Sequence, residues 1–297
     1  MKDKKIFVLF GNDKRQFEIA KLLKSQGHTV RMCHCGQICE EIKGCDIYID
    51  WRHALVGGNV IVLPLPITRD GENLAYSDEA IALKDIISYA VKCGCELIVG
   101  GLIPDEMITE HADSIKFDDY YRSEELQRKN ALPSAEGALM LAMENTDTII
   151  RGMNVLISGY GRIGYHLADI LYLLGANVTI AARRDESLCE AALKGYKTVR
   201  IGVNGLDLTS NFKDFDVIFN TVPHQIFKKA SFSELKEKAV YIEIASAPYG
   251  LDITAARESG VHVIFAPSIP SKYAPATAGR YIFEAISEIL SKRGMIL

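Results

Sequence analysis

The chain has little of what would take it to nucleic acid, a membrane or an oxidising compartment. Its formal net charge is -4 over 297 residues, so it carries no basic footprint for a phosphate backbone and no nucleic-acid partner is expected. No uninterrupted apolar run approaches the ~18–20 residues that span a bilayer, and no membrane segment is expected. The opening Met1-Lys2-Asp3-Lys4-Lys5 leads straight into an apolar strand, without the hydrophobic region and cleavage site of a secretory signal. Seven cysteines are an odd number with no paired framework. Cys33, Cys35, Cys39 and Cys45 cluster around His34, but the CxxC knuckles of a zinc site are missing. Reduced structural thiols, no metal and a cytoplasmic location are therefore expected. With 48% hydrophobic and 24% charged residues and no low-complexity segment, what remains is a globular protein of two ordinary-sized domains.

What is present centres on Met153 to Arg184. Val155-Leu156-Ile157-Ser158 is short, apolar and β-branched enough for a buried strand. Gly159-Tyr160-Gly161-Arg162-Ile163-Gly164 follows, and then apolar residues at helical spacing: Ile163, Leu167, Ile170, Leu171 and Leu174. Gly175 stops that helix, and Val178-Thr179-Ile180-Ala181 is a second strand. A strand, a glycine turn, a helix and a strand in about 30 residues form the context that a dinucleotide-binding fingerprint requires. Gly159 permits the turn, Gly161 leaves room for a pyrophosphate, and Gly164 lets the helix approach the strand. The helix N-terminus offers free N–H groups and a positive dipole end to the phosphates. Tyr160, Arg162 and Ile163 belong to the same cofactor site.

One further absence decides the cofactor expected. NAD-preferring sites carry an acid at the end of the second strand, which accepts from the ribose 2′-OH. Here the strand runs into Ala182-Arg183-Arg184, and two guanidinium groups suit a 2′-phosphate. NADP is expected.

Strands and helices alternate along the whole chain, which predicts an α/β protein of two Rossmann-like, doubly wound domains. Mainly parallel sheets, a cleft between the domains and linking helices complete the expectation. Residues 1–130 read as a flavodoxin- or Rossmann-like substrate domain and 131–276 as the NADP-binding domain. Residues 277–297 read as a C-terminal helix packing back toward the first domain. In the first, Gly11 stands alone after strand Ile6 to Phe10, so no nucleotide is required there. Asn12, Asp13 and Arg15 sit at that strand's carboxyl end, either facing a ligand or serving as a helix cap beside a solvated arginine. Thr68 and Arg69 follow Pro64 and Pro66 on another strand-end loop, either a carboxylate anchor or a plain surface loop. Leu132-Pro133-Ser134 predicts a helix start with Ser134 as N-cap, which puts Glu136 in the first turn. There it either faces the helix dipole or acts as a catalytic carboxylate. In the second domain, Asn220-Thr221-Val222-Pro223 and Ala245-Ser246 end strands on the nicotinamide side. Lys272 is placed on a loop before the last helix.

Five stretches together resemble the A subunit of dipicolinate synthase, the sporulation enzyme of endospore-forming bacteria. They are Gly11-Asn12-Asp13-Lys14-Arg15-Gln16, Pro133-Ser134-Ala135-Glu136-Gly137, and the Gly159–Gly164 fingerprint with Ala182-Arg183. The fourth is Asn220-Thr221-Val222-Pro223 with Ile244-Ala245-Ser246, and the fifth Ala274-Pro275-Ala276-Thr277-Ala278-Gly279. The chain departs from the pattern at Phe10-Gly11, where a Gly-Gly pair is expected, at Ile269-Pro270-Ser271 for Leu-Pro-Gly, and at Ala276, where a lysine can occur. A looser resemblance extends to 2-hydroxyacid dehydrogenases and adenosylhomocysteinase. The resemblance implies NADP-linked oxidation of dihydrodipicolinate, formed from hydroxytetrahydrodipicolinate, to the aromatic pyridine dicarboxylate in the mother cell. The implied partner is a flavoprotein-like B subunit; a homo-oligomer is also expected. A small dicarboxylate needs cationic anchors, for which Arg15, Arg69 and Lys272 are the candidates, with Glu136 for proton transfer.

Two other readings stand beside it. A 2-hydroxyacid or shikimate-type dehydrogenase calls for a His–carboxylate or Lys–Asp pair, and His224 has no partner assignable from sequence. An NADP-sensing regulatory subunit would leave catalysis to a partner.

Overall fold

The structure, a computed structural model, describes residues 4–36, 44–202, 205–206, 212–233, 235–236 and 238–295. The chain divides into two compact units, Met1–Asn130 with Ala274–Leu297, and Ala131–Tyr273. The first contains β1 (Ile6–Phe10), α1 (Lys14–Ser25), β2 (Thr29–Cys33), β3 (Asp46–Tyr48), α2 (Trp51–Leu55) and β4 (Val60–Val62). It continues with α3 (Leu83–Lys92), β5 (Leu97–Gly100), α4 (Asp105–Glu110) and β6 (Lys116–Asp119). Helix α5 (Glu124–Glu144) starts in this unit and ends in the next. The second unit holds β7 (Asn154–Ser158), α6 (Arg162–Leu173), β8 (Asn177–Ala182), α7 (Asp185–Leu193), β9 (Lys197–Gly202) and β10 (Gly205–Leu206). Then come β11 (Val217–Asn220), α8 (Lys229–Ser233), β12 (Val240–Glu243), α9 (Ile253–Glu258), β13 (His262–Phe265) and α10 (Ile269–Tyr273). Helix α11 (Pro275–Lys292) belongs to the first unit.

Both sheets share one topology. The first runs β3-β2-β1-β4-β5-β6 and the second β10-β9-β8-β7-β11-β12-β13. All pairings are parallel except that of β10 with β9. Setting β10 aside, each sheet has the doubly wound order 3-2-1-4-5-6, which reverses beside its first strand and opens a crevice there at the strands' carboxyl ends.

Helices on both faces explain the nearly continuous apolar strands. Phe7 and Leu9 of β1 face a cluster with Ile282, Ile286 and Leu290 of α11. Val8 and Phe10 face the opposite one with Leu55 and Ile86. In the second unit Val155 and Ile157 pack with Ala138 of α5 and Leu167 of α6, while Leu156 packs with Ile218 and Tyr241. Burying Ile282, Ile286 and Leu290 stabilises α11 on its unit by about 1.5–3 kcal/mol each. The approach to α1 is close at Gly279, where a β-carbon would sit 2.7 Å from the Arg15 carbonyl oxygen.

Three expectations are corrected. Ser134 does not start a helix: α5 is continuous, with Pro133 inside it and Ser134 buried. Proline in a helix interior costs about 3 kcal/mol, but Ala131, Ala135, Ala138 and Ala142 form a buried stripe spanning it, and continuing the helix keeps that stripe packed. Glu136 is therefore exposed in mid-helix rather than at a dipole end. Lys272 lies not on a loop but on α10, whose Ile269 and Tyr273 seat against Gly137; a β-carbon there would be 2.3 Å from Ile269 Cγ2. Cys35 is disulfide-bonded rather than reduced; Cys33, Cys45, Cys93, Cys95 and Cys189 are free, and Cys39 lies outside the described residues.

Replacing Gly279 with Ala should destabilise the first unit by about 1–3 kcal/mol, because the β-carbon meets backbone that cannot yield. Trp51, the chain's single tryptophan, lies in that unit, so urea unfolding followed by its fluorescence gives the shift; an unchanged midpoint would show the helix crossing to be slack.

Candidate functional site: a dinucleotide cavity and an arginine loop

The turn after β7 is built by exclusion. Gly159 has φ +93°, and a β-carbon on it would lie 2.2 Å from Thr221 Oγ1. A β-carbon on Gly164 would lie 2.1 Å from the Gly159 carbonyl oxygen, so α6 touches the turn backbone to backbone. At Gly161 a β-carbon would meet nothing within 4 Å; the space a pyrophosphate needs is open. Gly161 is the N-cap of α6 and makes no side-chain cap bond, which leaves first-turn N–H groups for an anion.

This turn opens on a cavity of about 440 Å³. Of the residues expected to hold a cofactor, Gly159, Tyr160, Gly161, Ala182, Arg183, Arg184 and Val222 line it. Arg162 and Ile163 start α6 beside it. Thr221 lies against Gly159 and donates to the Ser158 carbonyl at 2.9 Å. Pro223 and Ser246 are exposed on the two strand-end loops, and the Ser246 carbonyl accepts from Tyr249 at 3.1 Å. Tyr160 is pushed up to about 12 by burial, and its hydroxyl stays protonated.

At the β8 end, Arg183 and Arg184 are exposed. Arg184 Nη2 donates to Ser187 Oγ at 3.3 Å, and Ser187 also lines the cavity. Arg200 Nη1 donates to the Arg183 carbonyl at 3.2 Å and pairs with Asp185, the first acid after the strand.

At the other end lies a buried polar chain that the sequence reading missed. Ser158, Asn220 and Glu243 end β7, β11 and β12 in register. Ser158 Oγ donates to Asn220 Oδ1 at 2.8 Å, and Asn220 Nδ2 donates to Glu243 Oε1 at 2.6 Å. Desolvation raises the Glu243 pKa above the ordinary carboxylate value, against hydrogen bonds that lower it. A signal was there to read: three apolar strands each end on one polar residue.

In the first unit the stretch after β1 organises a loop. Asp13, not Asn12, caps α1. Asn12 N–H donates to the Tyr76 carbonyl at 2.7 Å, and its amide to Asp78 at 3.0 Å. Arg15 is buried, not solvated: its Nε meets both Asp13 oxygens at 2.9 and 3.0 Å, and Nη2 bonds the Leu65 carbonyl and, at 3.4 Å, the Tyr76 hydroxyl. Burial works against its charge, and the Asp13 hydrogen bond and charge more than offset this, leaving its pKa above the ordinary value. Arg69 is exposed, 4.7 Å from the centroid of the Tyr76 ring, and lines a cavity of about 340 Å³ with Asp70, Asn73, Tyr76 and Ser77; the Asp70 carboxylate accepts from Thr68, Glu72 and Asn73. The fold thus brings Arg15 and Arg69 to one tyrosine. Glu136 and Lys272 lie in the other unit, each one residue from the α5–α10 crossing at Gly137.

Residues 6–114 match the family described as the N-terminal domain of the dipicolinate synthase A subunit. The A subunit of dipicolinate synthase from Bacillus subtilis (strain 168) is 28% identical over 293 residues, 96% of this chain and 95% of that protein. The chain resembles that protein along nearly its whole length. The crystal structure of the dipicolinate synthase A subunit from Bacillus halodurans superposes with a TM-score of 0.82 at 26% identity, covering 98% of this chain and 99% of that one. The Bacillus subtilis A chain gives 0.79 at 26% identity, covering 98% and 97%. A transhydrogenase from Sinorhizobium meliloti, at 14% identity and TM-score 0.68, shares the fold.

Residues 120–249 match the D-isomer specific 2-hydroxyacid dehydrogenase, NAD binding domain. A nicotinamide dinucleotide is therefore the cofactor class, and the open face at Gly161 and the free N-terminus of α6 fit one. The dehydrogenase-type domain, with the resemblance to a dipicolinate synthase A subunit, makes this an oxidoreductase-type chain. Among the described residues no group of three His, Cys, Asp or Glu stands together as a metal site. No helix among them is long and apolar enough to cross a membrane.

Arg15→Ala strands a carboxylate on Asp13, which is 2% exposed; the expected loss of stability is about 3–5 kcal/mol. Trp51-monitored urea unfolding measures it, and Asp13→Asn with Arg15→Met should recover part of the loss. A loss below about 1 kcal/mol, the value of an exposed pair, would contradict the buried pairing.

Proposed function

We propose that the chain is the NADP-dependent catalytic subunit of a dipicolinate synthase, oxidising dihydrodipicolinate to dipicolinate with a flavoprotein-like B subunit. One observation carries the reading: the half matched to the dipicolinate synthase N-terminal domain builds an arginine-bearing pocket, the feature a dianionic substrate needs. Two carboxylates entering a protein site need charged or amide partners, because unpaired buried charge is costly.

The ring loses a hydride and a proton, and aromaticity drives the step. NADP, when bound, supplies the hydride acceptor. The chain's own residues bind and orient. The α6 N-terminus and Gly161 hold the pyrophosphate, and Thr221, Val222, Pro223 and Ser246 border the nicotinamide. Arg183 and Arg184 grip the 2′-phosphate, with Ser187 beside them; Arg200 occupies Asp185, the acid nearest the ribose end. Arg69, stacked on Tyr76, meets a substrate carboxylate. Arg15 acts one step back, since its charge is already matched by Asp13 and its bonds hold the Leu65–Tyr76 loop. Lys272 is the second anchor, and Glu136 accepts the proton. The protein works as a homo-oligomer in the mother-cell cytoplasm. The first half separates this reading from a 2-hydroxyacid or shikimate-type dehydrogenase, since only residues 120–249 share the dehydrogenase match.

Supplying hydroxytetrahydrodipicolinate and NADP to the chain, with and without the B subunit, should give dipicolinate absorbance and matching NADPH. Failure of both mixtures sinks the reading; turnover of a 2-hydroxyacid alone establishes the alternative. In the same assay Arg69→Ala should raise the substrate KM with NADP affinity unchanged.

The cofactor choice has its own test. Arg183→Ala should weaken NADP binding by about 1.5–3 kcal/mol, the worth of a charge-assisted hydrogen bond, and leave NAD binding as it is. Equal affinity of the parent chain for NAD and NADP would remove the arginine argument.

A further inference from the structure

Glu243 is a carboxylate with 1% exposure, and among the described residues no cation pairs with it. It accepts from Asn220 Nδ2 at 2.6 Å and the Ala245 N–H at 3.1 Å on Oε1. On Oε2 it accepts from the Gly250 N–H at 3.0 Å and the Tyr241 hydroxyl at 3.2 Å. Three of these four partners can only donate, so both carboxyl oxygens must accept; the fourth, the Tyr241 hydroxyl, can donate or accept, so the set is satisfied whether or not Oε2 carries a proton. Burial raises the Glu243 pKa, against the hydrogen bonds that lower it.

The geometry shows what the carboxyl group accomplishes. An amide side chain can sit either way round, and an acceptor-only neighbour removes that choice. The Asn220 NH₂ must face Glu243, and it reaches the Val222 carbonyl at 2.9 Å as well. Asn220 Oδ1 is thereby turned to the Val222 N–H at 3.2 Å and to Ser158 Oγ at 2.8 Å. Both backbone groups of Val222 are held by one side chain. Val222 lines the cofactor cavity, and its Cγ2 stands 3.0 Å from where a Gly159 β-carbon would be. Gly250 is shaped to the same arrangement, since a β-carbon on it would lie 2.1 Å from Asn220 Nδ2.

We propose that Glu243 is a positioning residue of the cofactor site, whose carboxyl Oε1 fixes the Asn220 amide and, through it, Val222 at the nicotinamide end of the cavity. The proposal rests on the dinucleotide reading of that cavity. It assigns Glu243 no contact with cofactor or substrate. In the doubly wound order the nicotinamide half lies on the β11–β12 side and the adenosine half on the β8 side, so Glu243 affects one half of the ligand.

The test compares two probes on the full chain, NADPH and 2′,5′-ADP, the latter carrying only the adenosine end. Glu243→Gln places a donor among donors and frees the Asn220 amide. NADPH should bind about tenfold more weakly, the equivalent of one buried polar group losing its partner, while 2′,5′-ADP keeps its parent Kd. Asn220→Ser should reproduce the effect, and the double variant should be no weaker than either single one, because both cut the same chain. Unchanged NADPH affinity in folded Glu243→Gln overturns the proposal, as does equal weakening of both probes, which marks a general loss of structure. Should Glu243→Gln fail to fold, Asn220→Ser decides by the same two Kd values. The parent titration tests the cofactor reading separately; if NADH proves the tighter ligand, the comparison runs unchanged with NADH and ADP-ribose.

Discussion

The carbonyl oxygen of Gly159 sets the geometry of the second unit. Helix α6 can reach the carboxyl end of β7 only because residue 164 has no β-carbon, which would stand 2.1 Å from that oxygen. The same turn needs a left-handed conformation at Gly159 and no side chain there, since Thr221 fills the space. With the helix drawn in, its uncapped N-terminus faces the open side of Gly161. From that contact follow the position of the 440 Å³ cavity, the presence of Ala182, Arg183 and Arg184 on one rim, and of Val222 on its wall. A dinucleotide half with this turn needs no charged residue at the phosphates, because backbone N–H groups and the helix dipole already supply the field.

The first unit repeats the strand order and solves a different problem. It has no full glycine fingerprint, and its strand-end turn is occupied by a charge pair. Asp13 caps α1 and holds Arg15, and Arg15 reaches across to the loop after β4. A buried ion pair adds little net stability once desolvation is counted, so its value here is geometric. It joins β1, α1 and the Leu65–Tyr76 segment and leaves Arg69 the exposed cation on the Tyr76 ring. Two halves of one topology thus differ at the strand-end turn, an open glycine turn before an uncapped helix in one and a buried Asp–Arg pair in the other.

A second buried carboxyl group lies at the strand ends beside the cavity, on Glu243. The Ser158–Asn220–Glu243 chain lies across three strand ends and satisfies its polar groups internally, the condition under which buried networks rigidify rather than destabilise. Its members are spaced by sheet register, so strands far apart in sequence act on the single residue Val222.

Much of this was written in the sequence by itself. The alternation of strands and helices, the two doubly wound halves, the fingerprint and the paired arginines after β8 are local patterns, governed by periodicities and backbone requirements that a short window contains. The stretches at residues 11–16 and 274–279 likewise carried the resemblance to the A subunit of dipicolinate synthase. Tertiary structure decided the rest, because the deciding partners are distant in the chain. The stretch around Pro133 signals a helix start, yet α5 runs through it, held by an alanine stripe whose burial no local window shows. Arg15 reads as a solvated or ligand-facing cation, but Leu65 and Tyr76, 50 and 61 residues away, bury it against Asp13. Ser158, Asn220 and Glu243 look like three unremarkable strand ends until sheet register sets them side by side. Local propensity fixes which elements form; charge burial and register depend on what the fold brings next to them.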